Sequence, residues 1–135
     1  MRYTIYAIEG IGPSFTKKLA AVGISNTDHL LARCGDRKGR RAVSKESKIA
    51  EKKLLAWANM ADLMRINGIG RQFAEILEVA GVDTVKELRN RNAANLHAKM
   101  VESNRRKKVA RQLPSVAMLE GWIKQAKKMK PVITH

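Results

Sequence analysis

"IEGIGPSFTKKLAAVGI" at residues 8–24 and "INGIGRQFAEILEVAGV" at residues 66–82 are two versions of one phrase. Each version has two glycines separated by an isoleucine, then an apolar stripe, then a closing glycine. Nine of the 26 positions in residues 8–33 are identical to their later counterparts. The identical pairs are Ile8/Ile66, Gly10/Gly68, Ile11/Ile69, Gly12/Gly70, Phe15/Phe73, Leu19/Leu77, Gly23/Gly81, Leu30/Leu88 and Arg33/Arg91. Because these identities fall at turn and apolar positions, they predict the duplication of one supersecondary unit.

The residues after each glycine pair have the spacing of an amphipathic helix. Phe73, Ile76, Leu77 and Ala80 fall at i, i+3, i+4 and i+7, and the first copy repeats this stripe. Pro13 directly follows the first glycine pair and suits the first position of a helix. The closing glycine of each copy suits the left-handed residue that ends a helix.

Further helix starts are predicted by capping residues. Thr84 opens "TVKE", a capping box, and Asn92 and Ser115 also precede helical stretches. No segment alternates apolar and polar residues convincingly, apart from the short "YTIYAI" near the N-terminus. The sequence therefore predicts an all-α fold of about eight short helices.

A second set of matches extends the repeat along the chain. With a small change of offset, the matching pairs are Leu54/Leu119, Trp57/Trp122 and Ala61/Ala126. We therefore expect a tandem repeat of two units, residues 1–65 and residues 66–135, packed as a single domain.

The charge is strongly basic in both halves of the chain. The 27 Lys and Arg outnumber the 12 Asp and Glu, so the net charge is +15. Residues 1–65 carry +7 of it and residues 66–135 carry +8. A polyanion is the expected partner of such a surface, and nucleic acid is the commonest polyanion. An acidic protein partner is the alternative.

Other features place the chain in a broad class. No apolar run approaches the roughly 20 residues that span a membrane, and the N-terminal residues lack the pattern of a signal peptide. The single cysteine, Cys34, cannot form an internal disulfide. We therefore expect a protein of the cytoplasm that does not bind membranes.

The glycine pairs have a specific physical use. Glycine permits a positive φ and lacks the Cβ that would block a close approach to the backbone. The amides of the turn then lie beside a helix N-terminus, where the helix dipole favours an anion. The isoleucine between the glycines fixes the turn to the core. A phosphate is the natural ligand of this arrangement.

Two such turns resemble the hairpins of the helix-hairpin-helix family, which bind the phosphate backbone of DNA without reading its bases. The whole chain also resembles a small bacterial family of two-repeat domains with no assigned activity. The segments that carry this second resemblance are "EGIGPSF", "WANMADLMRINGIG", "AGVDTVKELRNRN", "NLHAKM" and "LPSVAMLEGWIKQAKK". The second resemblance implies a fold and no activity. The resemblance to the helix-hairpin-helix family implies non-sequence-specific binding of nucleic acid, chiefly duplex DNA, and we expect an accessory or architectural role in the bacterial cytosol.

The resemblance also implies which residues contact phosphate. In the hairpins these are Gly10, Ile11, Gly12, Ser14, Lys17, Gly68, Ile69, Gly70, Arg71 and Gln72. In related hairpins, backbone carbonyls can hold a monovalent cation, and no other cofactor or metal is expected. The second hairpin is the favoured site, because no long helix precedes the first.

Basic clusters form the second part of the predicted interface. Residues 37–53 hold eight basic side chains, residues 105–111 hold five, and residues 124–130 hold four. The cations predicted to contact phosphate are Arg40 and Arg41, which fall near Arg105 and Arg106 in the alignment of the repeats, together with Lys107 and Lys108. Solvated helix faces are the simpler explanation of such runs, but their recurrence in both repeats favours a surface that follows phosphates.

The sequence does not predict an enzyme. The three histidines have no metal-ligand spacing with each other or with Cys34. Asp83 follows Gly70 too closely to be the catalytic aspartate of a base-excision glycosylase, and it lies between a helix end and a capping box. Only Tyr3 and Tyr6 are free of the apolar stripes and able to stack on bases. Duplex binding is therefore favoured over single-strand binding.

Overall fold

A computed structural model describes residues 3–135 of the chain. After a single turn of 3₁₀-helix at Ile5–Ala7, eight α-helices follow. They are α1 (Pro13–Ala21), α2 (Thr27–Cys34), α3 (Arg37–Ser47), α4 (Glu51–Leu63), α5 (Arg71–Val79), α6 (Val85–Leu88), α7 (Ala93–Lys107) and α8 (Val116–Lys127). The described residues form no strand, only an isolated bridge between Thr4 and Asn26. The all-α prediction is confirmed, and the 3₁₀ turn lies within "YTIYAI".

The helices begin at the capping residues that the sequence indicated. The side chains of Thr84, Asn92 and Ser115 each accept a hydrogen bond from the amide three residues later. Asn26 and Asp36 cap α2 and α3 in the same way. These side chains satisfy amides that have no partner inside a helix, which fixes where each helix starts.

The two glycine-bracketed stretches share one backbone geometry. Gly10 and Gly68 have φ of +94° and +98°. The amide of the following isoleucine donates to the carbonyl three residues earlier, at 3.2 Å in the first turn and 3.1 Å in the second. The closing glycines also have positive φ, +82° at Gly23 and +97° at Gly81. The sequence therefore predicted both turns and both helix ends correctly.

A tryptophan lies beneath each turn. A Cβ added to Gly10 would lie 3.3 Å from the indole nitrogen of Trp57, and one added to Gly68 would lie 3.0 Å from that of Trp122. Both indoles are buried, as the sequence indicated. Each also meets the phenylalanine after its turn, with ring centroids 5.0 Å apart in the first copy and 5.2 Å in the second. These phenylalanines are half-buried, so the tryptophans are the core members of the pairs.

The matched arginines Arg33 and Arg91 have equivalent positions. Arg33 donates to the carbonyl of Val22 at 2.8 Å, and Arg91 donates to that of Gly81 at 3.1 Å. A guanidinium at the end of a helix satisfies carbonyls that have no partner inside the helix. The arginine thus bonds a carbonyl near the end of a helix in both copies, although the acceptor lies one residue later in the second copy.

One hydrophobic core includes residues from both predicted units. The C-terminal segment adds a polar connection between them. The amide of Thr134 donates to the carbonyl of Gly35 at 2.8 Å, and Arg65 donates to the carbonyl of Lys130 at 3.0 Å. Ile133, which lies between Lys130 and Thr134 in sequence, is buried. The division into residues 1–65 and 66–135 stays a prediction.

Asp62 and Arg65 form the ion pair that their spacing suggests, at 2.7 Å. Asp62 is buried, however, and its second carboxylate oxygen accepts a hydrogen bond from the amide of Val85 at 2.8 Å. The carboxylate therefore connects the end of α4 to the start of α6. None of the helices in residues 3–135 is both long and apolar enough to cross a membrane.

Two glycine-to-alanine substitutions should shift stability in opposite directions. Gly68→Ala places a Cβ at positive φ and against Trp122, so we expect a loss of about 1–2 kcal/mol or more. Gly121→Ala lies within α8 with nothing within 4 Å, so we expect a gain of about 0.5–1 kcal/mol. Urea denaturation measures both, and a stable Gly68→Ala variant would contradict the strained turn.

Candidate nucleic-acid interface

The first glycine turn is open to solvent. Gly12 is exposed, with an extended φ of −95°, and an added Cβ would meet nothing within 4 Å. In the described part of the chain, the amides of Gly12, Ser14 and Phe15 have no hydrogen-bond acceptor. These amides lie at the start of α1, where the helix dipole favours negative charge. The turn therefore has the geometry to receive an anion.

An open, largely apolar depression of about 990 Å³ adjoins this turn. It is lined by Tyr6, Ile11, Gly12, Pro13, Ser14, Thr16, Lys17 and Ala20. Ser14 and Lys17 are exposed, as expected for residues that could reach a ligand. Ile11 is buried, and its amide is already bonded to Ile8, so it positions the turn without facing the ligand.

The second turn is more covered than the first. The guanidinium of Arg71 forms an ion pair with Glu9, which lies in the first turn. Gly70 is only half-exposed, and the Tyr3 hydroxyl lies 3.5 Å from the carbonyl of Ile69. Gln72 is exposed. The sequence could not reveal the Glu9–Arg71 contact, because it joins residues that are 62 positions apart.

Arg40 and Arg41 are neighbours in sequence but have different surroundings. Arg41 is exposed on α3, whereas Arg40 is only 4% exposed. The Arg40 guanidinium donates to the carbonyls of Cys34 and Gly35 at 3.0 Å each and to that of Thr134 at 2.6 Å. Arg40 is therefore removed from the predicted interface, because its side chain is buried and its hydrogen bonds hold the C-terminal segment against α2.

Lysines from two elements surround the Phe15 ring beside the first turn. The ammonium group of Lys18 lies 5.7 Å from the ring centroid, and that of Lys53 lies 5.6 Å away. Lys53 belongs to the basic run of residues 37–53, so this contact brings that run next to the first turn. Both ammonium groups lie within cation–π distance of the ring.

The second predicted cluster lies at the end of α7. Arg105 and Arg106 are 74% and 73% exposed, with Glu102 at 3.6 and 3.7 Å. Exposed ion pairs of this kind contribute little and leave the guanidinium groups accessible. Lys107 and Lys108 are also exposed, and Lys108 ends the helix in the left-handed region at φ +48°.

Acidic side chains gather at a groove beside α4 and α5. Glu9, Glu75 and Glu78 line one part of it, and Glu78 and Asp83 line the adjoining part. Burial raises the pKa of Glu75, Glu78 and Asp83, and neighbouring carboxylates raise these pKa values further. Glu75, Glu78 and Asp83 do not line the depression at the first turn, but Glu9 belongs to that turn, and Lys107 also lines the groove.

The described residues hold no group of three or more His, Cys, Asp or Glu side chains that could bind a metal ion. Cys34 is buried, and burial is the main cause that raises its pKa to about 11. A thiol in this state is a poor nucleophile at neutral pH. His29 forms hydrogen bonds with nearby residues, and its ring lies 3.2 Å from the Ser25 hydroxyl.

A family model described as "Domain of unknown function (DUF4332)" matches residues 9–129. The matched range includes both glycine turns and all eight α-helices. No curated protein and no solved structure matches the chain.

Arg40→Met and Arg41→Met form a matched pair that separates folding from surface charge. Hydrogen bonds from a charged donor contribute about 1.5–3 kcal/mol each, so Arg40→Met should lower the free energy of unfolding by about 3 kcal/mol. Arg41→Met should leave it nearly unchanged, because that side chain is exposed. Equal effects in urea denaturation would contradict the buried role of Arg40.

Glu78→Gln should raise the melting temperature at pH 7. The pKa of Glu78 is raised in the folded state, so the folded protein holds the Glu78 proton more tightly than the unfolded chain does. The stability that this proton contributes is fully present below the unfolded pKa and is lost as the pH rises through the folded pKa. The gain from glutamine should therefore vanish below about pH 4, where the wild-type carboxyl is protonated. Glu120→Gln, at a carboxylate that does not line the acidic groove, is the control. A Glu78→Gln protein that is no more stable at pH 7 would contradict this account.

Proposed function

The chain belongs to the family described as a domain of unknown function (DUF4332), and we propose that it binds the backbone of nucleic acid, chiefly duplex DNA, without sequence preference. The observation that carries this proposal is the first glycine turn. There, exposed glycine and unpaired amides at a helix start are combined with surrounding lysines in a chain of net charge +15. Its role would be accessory or architectural, with no catalytic step.

We further infer that the two halves are tandem helix-hairpin-helix units. Both turns have the same positive φ and the same local hydrogen bond, and each packs on a tryptophan. In the second unit the turn joins α4 to α5. In the first unit, the described residues before the turn form the 3₁₀ turn at Ile5–Ala7.

The contacts support the first turn as the main phosphate site, the reverse of the order favoured by sequence. At the second turn, Arg71 is paired with Glu9, so its guanidinium is less available to a phosphate. At the first turn Lys17 is exposed, and Lys18 and Lys53 add positive charge nearby. We propose that the second turn contributes mainly through Gln72 and its amides.

The basic helix faces would extend the contact along the phosphates. Arg41 and the exposed residues 105–108 are accessible for this role, whereas Arg40 is excluded by its burial. Such contacts release counterions from DNA. The resulting affinity depends strongly on salt concentration and only weakly on base sequence.

Salt-titrated binding tests the proposal. If about six phosphates are neutralised, log K for a blunt duplex should fall against log salt with a slope of roughly −5. Absence of binding at about 50 mM salt would contradict the proposal, because backbone contacts are strongest there. Preferential binding to an acidic protein in the same buffer would favour the interaction-module alternative.

Gly12→Ala tests the first turn without disturbing the fold. Its backbone is extended and its surroundings are empty, so alanine should fold normally while its methyl group obstructs the approach to the amides. We expect duplex affinity to fall about tenfold, as for the loss of a charge-assisted hydrogen bond. Gly70→Ala is the matched control and should lose less, whereas an equal or larger loss there would favour the second turn.

A further inference from the structure

Tyr6 is unusual among the aromatic residues. It is 62% exposed, whereas the other five aromatic side chains in residues 3–135 are half-buried or buried. Met64 occupies the corresponding position before the second turn and is fully buried. The exposed aromatic ring at Tyr6 is therefore specific to the first turn. The turn geometry that both copies share does not require it.

Tyr6 lies at the wall of the depression that adjoins the first turn. Pro13 and Ala20 add apolar surface to it, and Ser14 and Lys17 add polar groups. The volume of about 990 Å³ is within the range of small-molecule sites. An exposed aromatic face thus stands next to unpaired amides at a helix start and next to a lysine.

The chemistry of this depression favours one class of ligand. The amides and Lys17 favour a negative charge, and Tyr6 with its apolar neighbours favours a flat, apolar surface attached to that charge. A nucleotide combines a phosphate with an aromatic base over this short distance. A membrane lipid would instead attach its charge to long flexible chains, which an open depression would leave largely exposed.

We propose that the first turn binds one unpaired nucleobase on Tyr6 while the adjacent phosphate contacts the amides of Gly12 and Ser14. This inference rests on the proposed function and narrows its substrate class. Bases within an intact duplex are stacked and cannot reach Tyr6. The preferred nucleic acid is therefore a duplex interrupted by an unpaired base, such as a bulge, a flap or a single-strand junction.

The experiment compares a blunt duplex with the same duplex carrying one bulged 2-aminopurine. The wild-type protein should bind the bulged DNA about 5- to 100-fold more tightly, the range for one base stacked on an aromatic side chain. The fluorescence of 2-aminopurine should fall on binding, because stacking quenches it. Tyr6→Ala should lose both the preference and the quenching, and Tyr6→Phe should retain both.

Met118→Ala, at another exposed apolar residue, is the matched control and should behave as wild type. Melting temperatures of all variants confirm that the folded proteins are compared.

Failure of the wild type to bind blunt duplex would overturn the proposed function itself. Intact duplex binding without a bulge preference, or equal losses on both DNAs in Tyr6→Ala, would overturn only the nucleobase site. Self-association that is lost in Tyr6→Ala would assign the depression to a second copy and overturn the site too.

Discussion

The packing of a glycine on an indole determines the shape of both turns. Gly10 and Gly68 pass so close to Trp57 and Trp122 that a side chain at either glycine would press on the ring. Their positive φ sends the backbone back towards the next helix. Because one side of each turn packs on the indole, the amides that follow are left at the helix start. The same contact thus connects the core to the proposed binding surface.

The sequence predicted the local features of this protein well and its long-range contacts poorly. Periodicity, caps and glycines act over a few residues, so the helices and their ends could be inferred directly. The ion pair of Glu9 with Arg71 and the burial of Arg40 depend on how distant segments pack. Identical local patterns at the two turns therefore gave no sign that one is more covered than the other.

The distribution of charge has the same long-range origin. A net charge of +15 alone does not say where a polyanion would bind. Folding places Glu75, Glu78 and Asp83 near one groove, where burial first, and then a neighbouring carboxylate, raises the pKa of each carboxyl. Lys18 and Lys53 lie instead around Phe15. These three carboxylates line a different part of the surface from the depression beside the first turn.

The two tryptophans have a practical consequence. Residues 1–135 contain no other tryptophan, and each indole nitrogen lies under one glycine turn. The intrinsic fluorescence of the protein is therefore divided between the two turns. When either tryptophan is replaced by phenylalanine, the remaining tryptophan emission comes from the other turn only. The chain thus carries an internal optical label for each half, with which movement at one turn can be followed while the other stays silent.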